Sequence, residues 1–144
     1  MRVILGLAGL VAAVAVQAAP RSDGLVAEVL HEGNSNRHVL VTAQLSNRTA
    51  AALPLGSRPH WHARCGFSLT ISGPKGRRTL EGDSAACEEI KDTLAPGSSV
   101  AVSQSLERAE WFPTPGTYTL VLSWVEPGQA PVQSEPLQLR ITGQ

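Results

Sequence analysis

The stretch LAPGSSVAVSQSLERAEWFPTPGTYTLVLSW, Leu94 to Trp124, decides the fold. Pro96-Gly97 and Pro115-Gly116 each introduce a run of alternating apolar residues. Val100, Val102 and Leu106 mark the first run; Tyr118, Leu120, Leu122 and Trp124 mark the second without a gap. Side chains two apart in an extended chain share a face, so the second run presents four apolar side chains to one core. A Tyr two residues after Gly116, at the start of a late strand, predicts a tyrosine corner. In that arrangement the ring packs inward and the hydroxyl bonds nearby backbone. Trp124 closes the same face, and its indole N–H needs a partner if it is buried.

Working outward, the same period recurs. Leu25 to Glu32 reads as a first strand, and Val39, Val41, Ala43 and Leu45 as a second, ended by Ser46-Asn47-Arg48-Thr49. Ala51 to Leu55 is a short segment containing Pro54, which predicts an edge or a strand switch. Cys65, Phe67, Leu69 and Ile71 form another one-faced set before the Gly73-Pro74-Lys75-Gly76 turn, and Arg77 to Leu80 is a weak strand. Gly82 to Asp92 has little periodicity, with room for a helical turn around Glu88 to Lys91. Leu137, Leu139 and Ile141 make a last strand. Short strands, frequent turn signals and no alternation with helices predict an all-β, antiparallel, immunoglobulin-like β-sandwich of about seven strands.

The opening MRVILGLAGLVAAVAVQAAP has the layout of a cleaved signal peptide: Arg2, an apolar run from Val3 to Val16, then Ala18 and Ala19. That run is shorter than the roughly 20 residues a spanning helix needs. The expected organisation is a signal peptide over 1–19 and a single domain over 20–144, periplasmic or secreted, without stable membrane association. Losing Arg2 from 12 basic residues leaves 11 against 12 acidic ones, a net charge near −1. With no basic run, nucleic acid is not an expected partner. Cys65 and Cys87 both survive cleavage. In an oxidising compartment an even pair is read first as a disulfide; the rival reading keeps Cys65 reduced as a metal ligand.

Several of these pieces, in this order, carry a family resemblance: VLVTAQLSNRT (Val39 to Thr49), GFSLTISGPKG (Gly66 to Gly76), TLAPGSSVAVS (Thr93 to Ser103), PTPGTYTLVLSW (Pro113 to Trp124) and LQLRI (Leu137 to Ile141). Together they resemble the BsuPI-like intracellular proteinase inhibitor domain, here in an exported form with a cysteine pair. The resemblance implies a β-sandwich and, as a function, protease inhibition. The family's motifs are structural, so no inhibitory residue is carried over from it.

Chemistry-bearing residues are few. His60 and His62, two apart in an extended segment, project the same way and form the candidate metal pair for zinc or copper, with Cys65, if reduced, as a third ligand. The alternative is a plain loop with histidines beside a packing Trp61. His31 and His38 flank a separate turn. No nucleophile elbow, zinc-protease helix motif or phosphate loop occurs, so no catalytic residue and no cofactor is expected. Glu88, Glu89 and Asp83 read as a solvated acidic loop, and Arg77-Arg78 as a charged edge that discourages strand addition. Asn47-Arg48-Thr49 matches the N-glycosylation pattern. The leading expectation is a non-catalytic module that binds a protein partner. Its candidate partner-binding residues are His60, Trp61 and His62 on one loop, and Glu126, Pro127 and Gly128 on another. An inhibitory loop would be sought at Leu55 to Arg64 or Glu126 to Gln133, where prolines limit the freedom lost on binding.

Overall fold

The alternation that ends at Trp124 becomes a ten-residue strand, Gly116–Val125, at the centre of the larger of two facing sheets. The structure, a computed structural model, describes residues 23–143. The expected signal peptide over 1–19 and its cleavage point lie outside the described residues. Among those described, no helix is long and apolar enough to cross a membrane.

One sheet has three strands, β1 (Leu25–Asn34), β2 (His38–Asn47) and β7 (Ser99–Glu107), in the order β1-β2-β7. The other contains β4 (Gly66–Gly73), β5 (Gly76–Leu80), β8 (Gly116–Val125) and β10 (Leu137–Ile141), in the order β10-β8-β4-β5. The two-residue β9 (Val132–Gln133) also pairs with β8. A separate ribbon joins β3 (Leu53–Leu55) to β6 (Asp92–Leu94). Every pairing between these strands is antiparallel. The chain is an all-β sandwich, as the alternation requires. Its core comes from the inward sets Leu25, Ala27 and Val29; Val39, Val41, Ala43 and Leu45; Phe67, Leu69 and Ile71; and Tyr118, Leu120, Leu122 and Trp124.

The described residues form ten strands where the sequence pattern predicts about seven, and eight of the ten fall on segments read from the sequence, the weak one at Arg77 to Leu80 included. The additions, β6 and β9, are three and two residues long, too short for a period of two to register. Pro54 sits in the β3–β6 ribbon, opposite Thr93, where its missing N–H interrupts no larger ladder. The anticipated helical turn around Glu88 to Lys91 is absent, and that segment is irregular. A single helical turn appears instead within the quoted stretch, at α1 (Arg108–Trp111). One turn cannot repay its own nucleation, so outside contacts decide where it forms. At α1 the Arg78 guanidinium stacks 4.2 Å from the Trp111 ring centroid and donates to the Glu110 carbonyl, while Arg108 N–H donates to Arg37 O.

The tyrosine corner is present. Tyr118 Oη donates to Thr114 O at 2.6 Å and accepts from Thr114 N at 3.1 Å, and its ring meets Phe112 edge-on at 5.0 Å. Replacing Tyr118 with Phe keeps the ring and strands both Thr114 groups, at a cost of about 1–2 kcal/mol. Urea denaturation should show a lower midpoint with an unchanged slope. An unchanged midpoint would mean that solvent satisfies Thr114 equally well. Trp124 is also core, and its indole N–H donates to Glu126 Oε2 at 2.7 Å.

Asn47 is buried rather than displayed. Its Nδ2 donates to Ala51 O and Leu94 O, and its Oδ1 accepts from Thr49 N and Thr49 Oγ1. In this fold the glycosylation pattern is used as a structural Asn turn that ties the end of β2 to β6.

Candidate functional site

His60-Trp61-His62 forms a short ladder rather than a free loop. Phe67 N–H donates to His60 O, and His62 N–H donates to Phe67 O, which lays the segment parallel to the start of β4. On its other side Ala63 N–H donates to Asp83 O, and Asp83 N–H donates to Trp61 O. Two glycines permit this close approach. A Cβ on Gly66 (φ +148°) would lie 2.4 Å from His60 O, and one on Gly82 (φ +68°) would lie 2.6 Å from Trp61 Cβ. Phe67 links the segment to the core, with ring centroids 6.0 Å from Trp61 and 5.0 Å from Trp124.

His62 is only 2% exposed, and both ring nitrogens are in use. Nε2 lies 2.8 Å from Ala85 O, which can only accept, so Nε2 carries the proton. Nδ1 therefore accepts, from Arg64 N at 3.0 Å and Cys65 N at 3.2 Å. The same nitrogen lies 3.4 Å from Cys65 Sγ. Cys65 is bonded to Cys87, with a Cα–Cα distance of 6.0 Å across a sequence separation of 22. That disulfide fulfils the first reading of the pair and leaves no thiolate for a metal in this state.

His60 points its ring towards its own backbone, with Nδ1 donating to Arg58 O at 2.9 Å. The two imidazole centroids are 5.3 Å apart, so the i, i+2 geometry does bring the rings together. Both His62 nitrogens are engaged in this state, so binding a metal through the pair would require Nδ1 to give up its bonds from Arg64 N and Cys65 N. Asp83 stands beside them, exposed, accepting from Ala85 N at 2.9 Å. This bond is the main cause that holds the Asp83 carboxyl below its ordinary 3.8. Arg58, the two histidines, Cys65, Asp83 and Glu88 surround a small pocket of about 70 Å³.

The second predicted loop divides in the same way. Pro127 and Gly128 are exposed, whereas Glu126 is buried, holding the Trp124 indole while its carbonyl accepts from Gln129 N. Of the six candidate partner-binding residues, His62 and Glu126 thus spend their side chains inside the protein. Trp61 is half-buried, and its Nε1 is the one buried side-chain nitrogen or oxygen without a hydrogen-bond partner among the described residues. At the opposite end of the sandwich, a cleft of about 590 Å³ lies over Phe112, Pro115 and Ile141, between Arg37 and Arg108.

The sheet edges add a feature that the motifs and their spacing do not announce. Edge strands expose unpaired backbone groups, and proteins guard them with charge, proline, bulges or cover. β5 carries Arg77 and Arg78; β10 follows Pro136 and carries Arg140. β1 has a bulge between His31 and Gly33 and packs against β8, β9 and β10. β7 has these guards only at its end, where Glu107 closes the strand and α1 packs against it. Ser99 to Leu106 contains no charge and no proline, and its register with β2 is unbroken. No second strand pairs with β7 among the described residues. The outer face there is uncharged, with Thr42 and Ser103 hydroxyls 2.9 Å apart and those of Ser46 and Ser99 2.8 Å apart. The available signal was the run SVAVSQSL itself, read for what it lacks.

No protein-family model and no curated protein matches this chain. Among solved structures, it is similar to a crystal structure of a protein from Archaeoglobus fulgidus. The identity is 12%, the match covers 88% of this chain and 98% of that chain, and the TM-score is 0.39. A likeness at that level bears on neither mechanism nor partner.

Proposed function

We propose that this protein is an exported, non-catalytic binding module that takes an extended segment of a partner protein as an added strand along β7. The supporting observation is the unguarded edge from Ser99 to Leu106, beside three other edges that carry charge, proline or a bulge. Strand addition draws its affinity from backbone hydrogen bonds and its selectivity from alternate side-chain positions. The inner positions offered are Val100, Val102 and Gln104, half-buried, and the outer ones are small: Ala101, Ser103 and Ser105. A non-catalytic reading fits the chemistry. His62 does stand beside a sulfur, but that sulfur is held in the disulfide and is no nucleophile.

The test is copurification from the native envelope fraction with wild-type protein and with Ala101→Lys/Ser105→Lys. Both positions are exposed, so the variant should keep the wild-type unfolding midpoint to within about 0.5 kcal/mol. The wild type should retain a partner that the variant loses by tenfold or more. Equal recovery by both would remove β7 as the contact, and recovery by neither would remove the binding module.

A further inference from the structure

We propose that reduction of the Cys65–Cys87 disulfide converts His62, Cys65 and Cys87 into a three-ligand zinc site. The imidazole nitrogen and the two sulfurs all lie within 4.8 Å of one another. Two of them already have the spacing a metal imposes. Zinc–sulfur and zinc–nitrogen bonds of about 2.3 and 2.0 Å, at a tetrahedral angle, separate the two ligand atoms by about 3.5 Å. Cys65 Sγ and His62 Nδ1 are 3.4 Å apart.

The imidazole is also prepared for the role. Its Nε2–H is committed to Ala85 O, which fixes the tautomer and leaves Nδ1 unprotonated, accepting from Arg64 N and Cys65 N with Cys65 Sγ 3.4 Å away. A backbone carbonyl holding the other ring nitrogen is the outer partner that metal-bound histidines usually have. On loading, Nδ1 exchanges the bonds from Arg64 N and Cys65 N for the metal. Cys87 is half-buried, and the pocket of about 70 Å³ beside Cys65 and His62 gives an approach. His60 is outside this ligand set, since the group of ligand atoms within 4.8 Å of one another comprises His62, Cys65 and Cys87. The site thus differs from the His60–His62 pair expected from spacing alone.

The oxidised state keeps the site closed, because each sulfur spends its bonding electrons on the other. A dithiol reductant supplies two electrons and two protons: the S–S bond breaks, two thiols form, and the reductant becomes a disulfide. Zinc then displaces both thiol protons, and its two charges are balanced by two thiolates. Reduction leaves the main core in place, since neither cysteine belongs to it.

The experiment is a zinc titration of untagged protein against a chromophoric competing chelator, under anaerobic conditions, with and without prior phosphine reduction. Circular dichroism is recorded on each sample. The oxidised protein should take up no zinc, and the reduced protein one equivalent with its β-sheet signal retained. Cys87→Ser should weaken uptake by the reduced protein at least tenfold, while His60→Gln should leave it unchanged. Equal uptake in both redox states would overturn the gate and return the metal to the histidine pair. Failure of the reduced protein to bind zinc, whether folded or unfolded, would overturn the site.

Discussion

Phe67→Ala is expected to lower the unfolding free energy by about 4 kcal/mol, a larger effect than loss of the disulfide or of the tyrosine corner. Phe67 is fully buried at the first turn inward of β4. Its ring meets two of the three tryptophans, at 6.0 Å from Trp61 and 5.0 Å from Trp124. Truncation removes the ring's transfer free energy and leaves a cavity between two rigid indoles that collapse poorly. The surrounding segment is fixed from both sides by backbone bonds to His60, His62 and Asp83, which limits relaxation. A domain stabilised by 5–15 kcal/mol in total would lose a large share of that margin. Urea denaturation followed by circular dichroism measures the loss, and tryptophan fluorescence of the native state should shift to the red. Phe67→Leu, which refills most of the volume, should recover more than half of the stability. A loss near 1 kcal/mol for the alanine variant would show that the aromatic trio does not anchor the His60-Trp61-His62 ladder.

Removal of the disulfide is the second large effect. Replacing both Cys65 and Cys87 with Ala should cost roughly 3 kcal/mol, from the loop-closure entropy returned to the unfolded chain over a separation of 22 residues. In a domain of this size that corresponds to a fall in Tm of roughly 10 °C. The cost stays below the whole margin because Cys65, though buried, lies outside the main core cluster. Calorimetry of the oxidised, reduced and double-alanine forms measures it. The reduced and double-alanine forms should melt together in the absence of zinc. A fall of less than about 3 °C would place the stabilisation elsewhere, in the bonds that His62 makes to Ala85, Arg64 and Cys65.

The parts of this fold legible in the sequence share one property: their signal is local. Val39 to Leu45, Phe67 to Ile71 and Tyr118 to Trp124 alternate strictly, and each lies on the inner face of its sheet. The tyrosine corner was readable because Tyr118 and Thr114 are four residues apart. The candidate site was only half legible. Spacing brings the rings of His60 and His62 together. It says nothing of Ala85 O, 23 residues away, which holds His62 Nε2. Glu126 looks like a loop carboxylate in the sequence, but the Trp124 indole turns it inward. The helical turn forms at Arg108–Trp111 rather than Glu88–Lys91 because Arg78, far away in sequence, stacks on Trp111.

By itself, then, the sequence determined which residues face the core and where the chain turns, since a period of two and a Pro-Gly turn are properties of neighbouring residues. The pairing of Cys65 with Cys87 was equally accessible, there being two cysteines and no other partner. Only the tertiary structure decided which polar groups are spent and which remain available. Hydrogen-bond partners such as Ala85 for His62 and Leu94 for Asn47 come from distant segments brought together by packing. The same is true of the open edge at β7, which exists because no other strand is folded against it among the described residues. Core membership follows from local pattern, whereas availability for binding depends on what the rest of the chain has already covered.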